Sequence, residues 1–160
     1  MRDKVIAHLI STARAHRELV ATLPEADLGW RLAERSNTIG GQIWCVIGAR
    51  ESYTKAIREG DWAGFDCSLS GPDTTIKKRL LEALDRSEGG LIEVLGDLEW
   101  TDARERLLLD LLEHESQHQG QIIRYVYALG RRFPDTWVQR WALEQPAGMA
   151  PPDDPDPSVG

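Results

Sequence analysis

Four long stretches of apolar residues recur at helical spacing, and each is closed by a proline or a glycine. That pattern leaves a chain of this length little choice but to pack helices on helices. The first stretch runs from Asp3 to Thr22, with Val5, Leu9, Ile10, Ala13, Leu19 and Val20 in phase and Pro24 behind it. The second covers Ile39 to Glu59 and ends at Gly60, with the cap-forming types Ser36, Asn37 and Thr38 in front. One of its faces carries Ile39, Ile43, Val46, Ile47 and Ile57, and another carries the small residues Cys45, Ala49, Ser52 and Ala56. Small residues let a neighbouring helix or a ligand come close, and a helix apolar on two sides touches two partners, so this helix is expected at the centre.

Residues Asp61 to Gly71 read as a loop anchored by Trp62, Phe65 and Cys67. The third stretch spans Pro72 to Leu95, with Ile76, Leu80, Leu84, Leu91 and Leu95 in phase; Gly89 and Gly90 weaken it and mark a place to bend. Thr101 is positioned to cap the fourth, from Asp102 to Leu129, which stops at Gly130. A short last helix, Asp135 to Glu144, places Trp137 and Trp141 one turn apart. No run alternates as a strand would. The expectation is an all-α chain: a four-helix bundle with a short C-terminal helix over residues 1–144, then an extended tail over 145–160 that holds five prolines and three acids.

Composition narrows the function. The 160 residues suit one domain, and 41% hydrophobic content is that of a globular chain. Six tryptophans point to a well-filled interior or a sizeable interface. A formal net charge of −7 argues against gripping a nucleic-acid backbone, which takes clustered Lys and Arg. The basic runs Lys77-Lys78-Arg79 and Arg131-Arg132 are short and are expected on solvated helix faces or ends. No window approaches the ~18 apolar residues of a membrane span, and no signal-like apolar stretch follows Met1-Arg2-Asp3-Lys4, so a cytoplasmic location is expected. There Cys45 and Cys67 would stay reduced.

The chemistry-bearing string is Glu113-His114-Glu115-Ser116-Gln117-His118-Gln119-Gly120-Gln121. His114 and His118 are four residues apart, so both project from one helix face. Leu107, Leu111, Ile122, Tyr125 and Leu129 share that face by phase, which turns both imidazoles inward. Two neutral imidazoles so placed chelate a transition metal such as zinc, nickel or iron, or else sit in the core as hydrogen-bonded pairs. The string is also a literal H-E-x-x-H match, which in zinc hydrolases makes the glutamate, here Glu115, a general base. The longer form of that motif places a glycine and a third histidine where this chain has Gln121 and Arg124. His8 and His16, two turns apart on the first helix, read as surface or ordinary core residues.

These residues resemble the DinB-like superfamily. His114, His118, Gly120-Gln121-Ile122 and Leu129-Gly130 look like its last bundle helix. Thr38-Ile39-Gly40, Ile43-Trp44, Arg50-Glu51 and Tyr53 look like its second helix, and Pro134 to Leu143 is similar to a tail found in part of the family. The resemblance covers residues 36 to 144 and rests on the order and spacing of the motifs together. It implies a four-helix bundle, often a homodimer, with a divalent transition metal held by three histidines. His114 and His118 match two of them. The third family position is Cys45, a departure that leaves three readings open: a thiolate ligand completing a Cys/His/His site with an open position for water, a small buried residue beside a degenerate site, or a disulfide with Cys67.

Family members with known activity use low-molecular-weight thiols, so the resemblance implies a metal-dependent transferase, isomerase or hydrolase of that kind. Glu115 or Gln121 would then orient the incoming group, with Glu115 as general base or as support for a ligand histidine. The competing expectation is a non-catalytic homodimeric bundle whose metal site is lost. The family name's link to DNA damage is a third reading, which the acidic charge opposes.

Overall fold

Local chemistry starts the helices where the pattern places them. Thr38 sits in extended backbone and its hydroxyl accepts a hydrogen bond from the Gly41 amide at 3.0 Å, which caps the helix that follows. Gly60 closes that helix at φ 82°, in the left-handed region that glycine adopts without a Cβ penalty. Thr101 caps the last long helix through the Arg104 amide.

A computed structural model describes residues 2–96 and 99–146. Among them the regular elements are α1 (Arg2–Thr22), α2 (Ile39–Glu59), α3 (Lys77–Gly96), α4 (Asp102–Ala128) and α5 (Asp135–Trp141), with single 3-10 turns at Glu25–Gly29 and Gly71–Thr75. The only strand-like pairing among the described residues is an isolated bridge between Arg31 and Thr38. The described residues form an all-helical fold. No helix among the described residues is long and apolar enough to cross a membrane.

Both α1 and α2 pack on α3 and α4. The core divides into two apolar clusters. One holds Leu19, Ile39, Ile43, Ile47, Leu80, Leu84, Ile122, Val126 and Trp137. The other holds Leu9, Ile57, Leu91, Val94, Leu108 and Leu111. Each fully buried aliphatic side chain stabilises the fold by about 1.5–3 kcal/mol. Between the clusters every long helix contributes buried polar groups: Thr12 and His16 from α1, Arg50 from α2, Ser87 from α3, and Glu115, His118 and Gln119 from α4. A polar layer costs stability unless its groups are paired, so its bonding is the central structural question.

Two boundaries differ from the sequence expectation. The third helix begins at Lys77 rather than Pro72, because residues Gly71–Thr75 form a separate turn and Ile76 is extended. Tertiary docking explains this: a Cβ on Gly40 would lie 1.9 Å from the Thr74 carbonyl oxygen, so the turn is wedged against the start of α2. The Lys77 amide then finds its partner in Glu25 at 2.9 Å. The last helix ends at Trp141, not Glu144, where Ala142 turns left-handed. Beyond it, the Gln145 side chain bonds both backbone groups of Phe133 at 2.8 and 3.0 Å. The expected tail over 145–160 otherwise lies outside the described residues.

Gly89 and Gly90 do not interrupt α3, and both face open space. Only one of the six tryptophans, Trp137, is fully buried, with its indole donating to the Ala15 carbonyl at 2.7 Å. Trp141 remains partly exposed and donates to Gln119 at 3.0 Å. Arg131 is not a free helix-end cation: its guanidinium makes two bonds to Asp27, at 2.6 and 3.1 Å, tying the first 3-10 turn to the end of α4.

Candidate metal centre

The α2–α4 contact brings together three potential ligands. Cys45 comes from α2, and His114 and His118 come from α4. One donor atom from each lies within 4.8 Å of the others. The Cys45 Sγ is 3.7 Å from His114 Nε2. Two donors on one tetrahedral zinc ion stand about 3.5 Å apart, given bonds of about 2.0 Å to nitrogen and 2.3 Å to sulfur. The Cys45–His114 spacing is close to that value, and the other donor pairs, within 4.8 Å, would have to close by up to about 1.3 Å to share one ion.

The buried face of α4 is rotated from the sequence expectation. Its centre runs through Leu108, Leu111, Glu115, His118, Ile122 and Val126, while Leu107 and His114 are half-buried at its margin. Cys45 is also half-buried. The cluster thus lies at the edge of the core, with His118 as its inner member.

Hydrogen bonding sorts the two imidazoles. His118 Nδ1 donates to the Gln42 side-chain oxygen at 2.6 Å, which leaves Nε2 as the bare nitrogen. An oxygen acceptor behind a ligand imidazole is the arrangement that orients metal-binding histidines. His114 Nδ1 is buried and has no hydrogen-bond partner among the described residues. The rings lie 4.6 Å apart, centroid to centroid. Burial, with His114 adding to it, lowers His118 to about 4, and burial lowers His114 as well. Both rings are neutral near pH 7, the state in which imidazole ligates. Burial pushes the Cys45 thiol up, so ligation there must displace a proton.

Compared with known proteins, the chain matches no family model and no curated relative.

Glu115, expected as a base beside the metal, is engaged elsewhere. Its two oxygens accept from Arg50 Nε and Nη2 at 2.7 and 3.1 Å, and neither side chain is exposed. His16 Nδ1 lies 3.6 Å from the carboxylate, too far for a hydrogen bond, and donates to the Thr12 carbonyl at 3.2 Å. Burial is the largest influence and would raise Glu115, but the Arg50 charge and hydrogen bonds, with the neighbouring His16, together outweigh it and hold the carboxyl at about 2. A carboxylate with both oxygens committed to a guanidinium is a poor base. Among the described residues it makes no hydrogen bond to His114 or His118. Gln121, the other residue expected to orient a substrate, is exposed one turn beyond His118.

Cys67 and Cys45 are both free thiols. The loop after α2 lies tightly on that helix: a Cβ on Gly48 would meet Phe65 at 2.4 Å and Cys67 at 2.9 Å. Phe65 in turn packs against Trp44, and Ser52 exchanges two bonds with the Asp66 backbone at 2.8 and 3.0 Å. Burial raises Cys67 to about 11. Two grooves on the surface, of about 410 and 500 Å³, are lined by α1 with α5 and by α1 with α4, and no residue of the cluster lines either.

Sequence reasoning missed Gln42, and Arg50 figured only as part of the family pattern. Arg50 had a legible signal. It is in phase with Ile43 and Ile57, in the middle of an apolar stripe, just as Glu115 is in phase with Leu108, Leu111 and Ile122. Opposite charges in mid-stripe on two helices forecast a buried pair. Gln42 carries no such signal, because a glutamine on a helix is usually a surface residue.

Proposed function

We propose that this chain is a metal-binding four-helix bundle of the DinB-like kind, with a divalent transition ion held by Cys45, His114 and His118. The observation that carries the reading is the convergence of three ligand atoms within 4.8 Å, with His118 already held in the ligating tautomer by Gln42. Cys/His/His donors suit zinc and other borderline-soft ions, and three protein ligands leave a fourth position for water or substrate. A bound ion would supply Lewis acidity to a thiol or a water there. The reaction class that fits is transfer or hydrolysis assisted by a low-molecular-weight thiol.

Within this reading each side chain has a defined task. Gln42 holds the His118 proton on Nδ1. Trp44, with Phe65 tilted against it and its indole donating to the Leu69 carbonyl, holds the following loop to α2. The Glu115 carboxylate takes no proton from substrate, because Arg50 occupies it. That removes the H-E-x-x-H hydrolase mechanism from the proposal.

The same reading carries a homodimer. Trp62, Phe65 and Leu109, exposed by 43, 46 and 53%, supply apolar surface for a second copy, and sedimentation of the full chain tests it.

One observation favours the non-catalytic alternative. A Cys45 thiol raised by burial prefers to stay protonated. The deciding experiment is elemental analysis of untagged protein purified without chelator and without a nickel column, then after incubation with zinc or nickel. Near-stoichiometric metal supports the centre and justifies thiol-transfer assays. No metal under either condition overturns it in favour of a bundle that works through its surfaces.

A further inference from the structure

The polar layer contains an ion pair that the proposed chemistry does not use. Arg50 gives two bonds to Glu115, one to Ser87 Oγ at 3.1 Å, and reaches the Leu84 carbonyl at 3.5 Å. It therefore spans α2, α3 and α4 from a position with no exposed surface. Its place relative to the cluster is the informative point. Arg50 follows Cys45 by five residues on α2, and Glu115 lies between His114 and His118 on α4. The ion pair and the Cys45–His114 approach cross the same helix–helix contact, about one and a half turns apart on α2 and one residue apart on α4.

Apolar side chains tolerate sliding, because dispersion and burial have little direction. A two-pronged guanidinium–carboxylate contact does not. A slip of one residue along a helix moves the backbone about 1.5 Å, which breaks both bonds and strands two charges in the core. Buried pairs contribute little net stability compared with well-packed apolar replacements, and their best-attested use is to specify register.

We infer that the Arg50–Glu115 pair is a positioning element: it sets the register of α2 on α4 and so brings the Cys45 thiol to the two imidazoles. The inference rests on reading that cluster as a metal centre. Gln42 also bridges the two helices, but through one neutral bond that belongs to the cluster itself.

The test uses the full chain with Arg50→Met and Glu115→Leu together, which removes both charges and fills their volume. Cobalt(II) is the probe, because a thiolate ligand adds a near-ultraviolet charge-transfer band that imidazoles alone do not. The expected result is unchanged helical circular dichroism, cobalt affinity lower by about 10–100-fold as for other residues that orient ligands, and loss of the charge-transfer band. Without metal, alkylation of Cys45 by iodoacetamide, followed by mass spectrometry, should speed up several-fold. A folded double variant that matches the parent in affinity, band and alkylation rate overturns the inference. If the parent itself takes up no cobalt, the metal reading fails, and the alkylation comparison still decides whether the pair positions Cys45. Should the double variant not fold, Arg50→Lys keeps the charge and removes the fork. The same three readouts then apply, and parent-like values overturn the inference.

Discussion

His114 and Glu115 are neighbours in sequence and opposites in environment. Glu115 is fully buried, and both of its oxygens are paired with Arg50. His114 is half-buried, with one nitrogen orphaned and the other 3.7 Å from a thiol. The comparison separates two uses of buried polarity. Between Arg50 and Glu115 the donors and acceptors satisfy each other, so the pair itself offers nothing to a ligand, although the buried His16 Nε2 beside it has no partner among the described residues. Around Cys45 and the two histidines the same core supplies lone pairs without donors, which is the condition for taking up a cation. A site is distinguished by what its neighbours leave unpaired more than by the residue types it contains.

The largest expected effect breaks the sealed half. Glu115→Ala leaves the Arg50 charge buried and unmatched, and should cost about 3–5 kcal/mol in denaturant unfolding. Cys45→Ala at the open half should change stability by no more than ~1 kcal/mol. The reverse ranking would end the distinction drawn between the two regions.

Next comes the inner histidine of the cluster. His118→Ala leaves at most two ligands and should lower zinc affinity by more than ~100-fold, beyond the loss seen when only an orienting neighbour is removed. Chelator competition measures it. Unchanged metal content, with a stability loss of ~1–3 kcal/mol from the abandoned Gln42 bond, would make His118 structural.

A smaller effect belongs to Gln42→Leu. It frees the His118 ring and tautomer without removing a ligand, so zinc affinity should fall by about 10–100-fold while Cys45 and His114 still bind. Parent-like affinity in the folded variant would mean that Gln42 fills space only.

The pH dependence sharpens the contrast further. His118 is lowered from 6.5 to about 4 in the fold, so its contribution to stability is complete above 6.5 and is lost as pH falls toward 4. Glu115 is lowered from 4.5 to about 2, so its contribution persists above 4.5 and is lost as pH falls through 2. Acid unfolding of the metal-free chain should therefore show an upper stage that His118→Gln removes. Zinc affinity should rise with pH through neutrality, since the proton displaced is that of Cys45, and Cys45→Ala should flatten that rise. Titration by calorimetry in buffers of different ionisation enthalpy checks the proton count.

Much of the fold was legible in advance. Periodicity and punctuation located α1, α2 and α4 to within a residue or two, since their ends are set by local groups: the Thr38 and Thr101 caps and the left-handed Gly60. The start of α3 was not legible, because the Gly71–Thr75 turn is held by contact with Gly40, thirty-odd positions away in the chain. The His114/His118 spacing named two site residues on local grounds, and the third came from a family pattern rather than from any property of Cys45. Helical phase turned Glu115 inward, as observed, but said nothing of Arg50, which it meets there.

The sequence by itself determined the helical class, the helix caps and the histidine pair one turn apart on α4, for these depend on neighbours within about four residues. Only the tertiary structure decided that Cys45 approaches His114, that Gln42 fixes His118, and that Arg50 disarms Glu115. Each of those pairs joins α2 to α4 across more than sixty residues of chain. Which donor meets which acceptor over that separation depends on the register of two packed helices, and apolar periodicity leaves that register open.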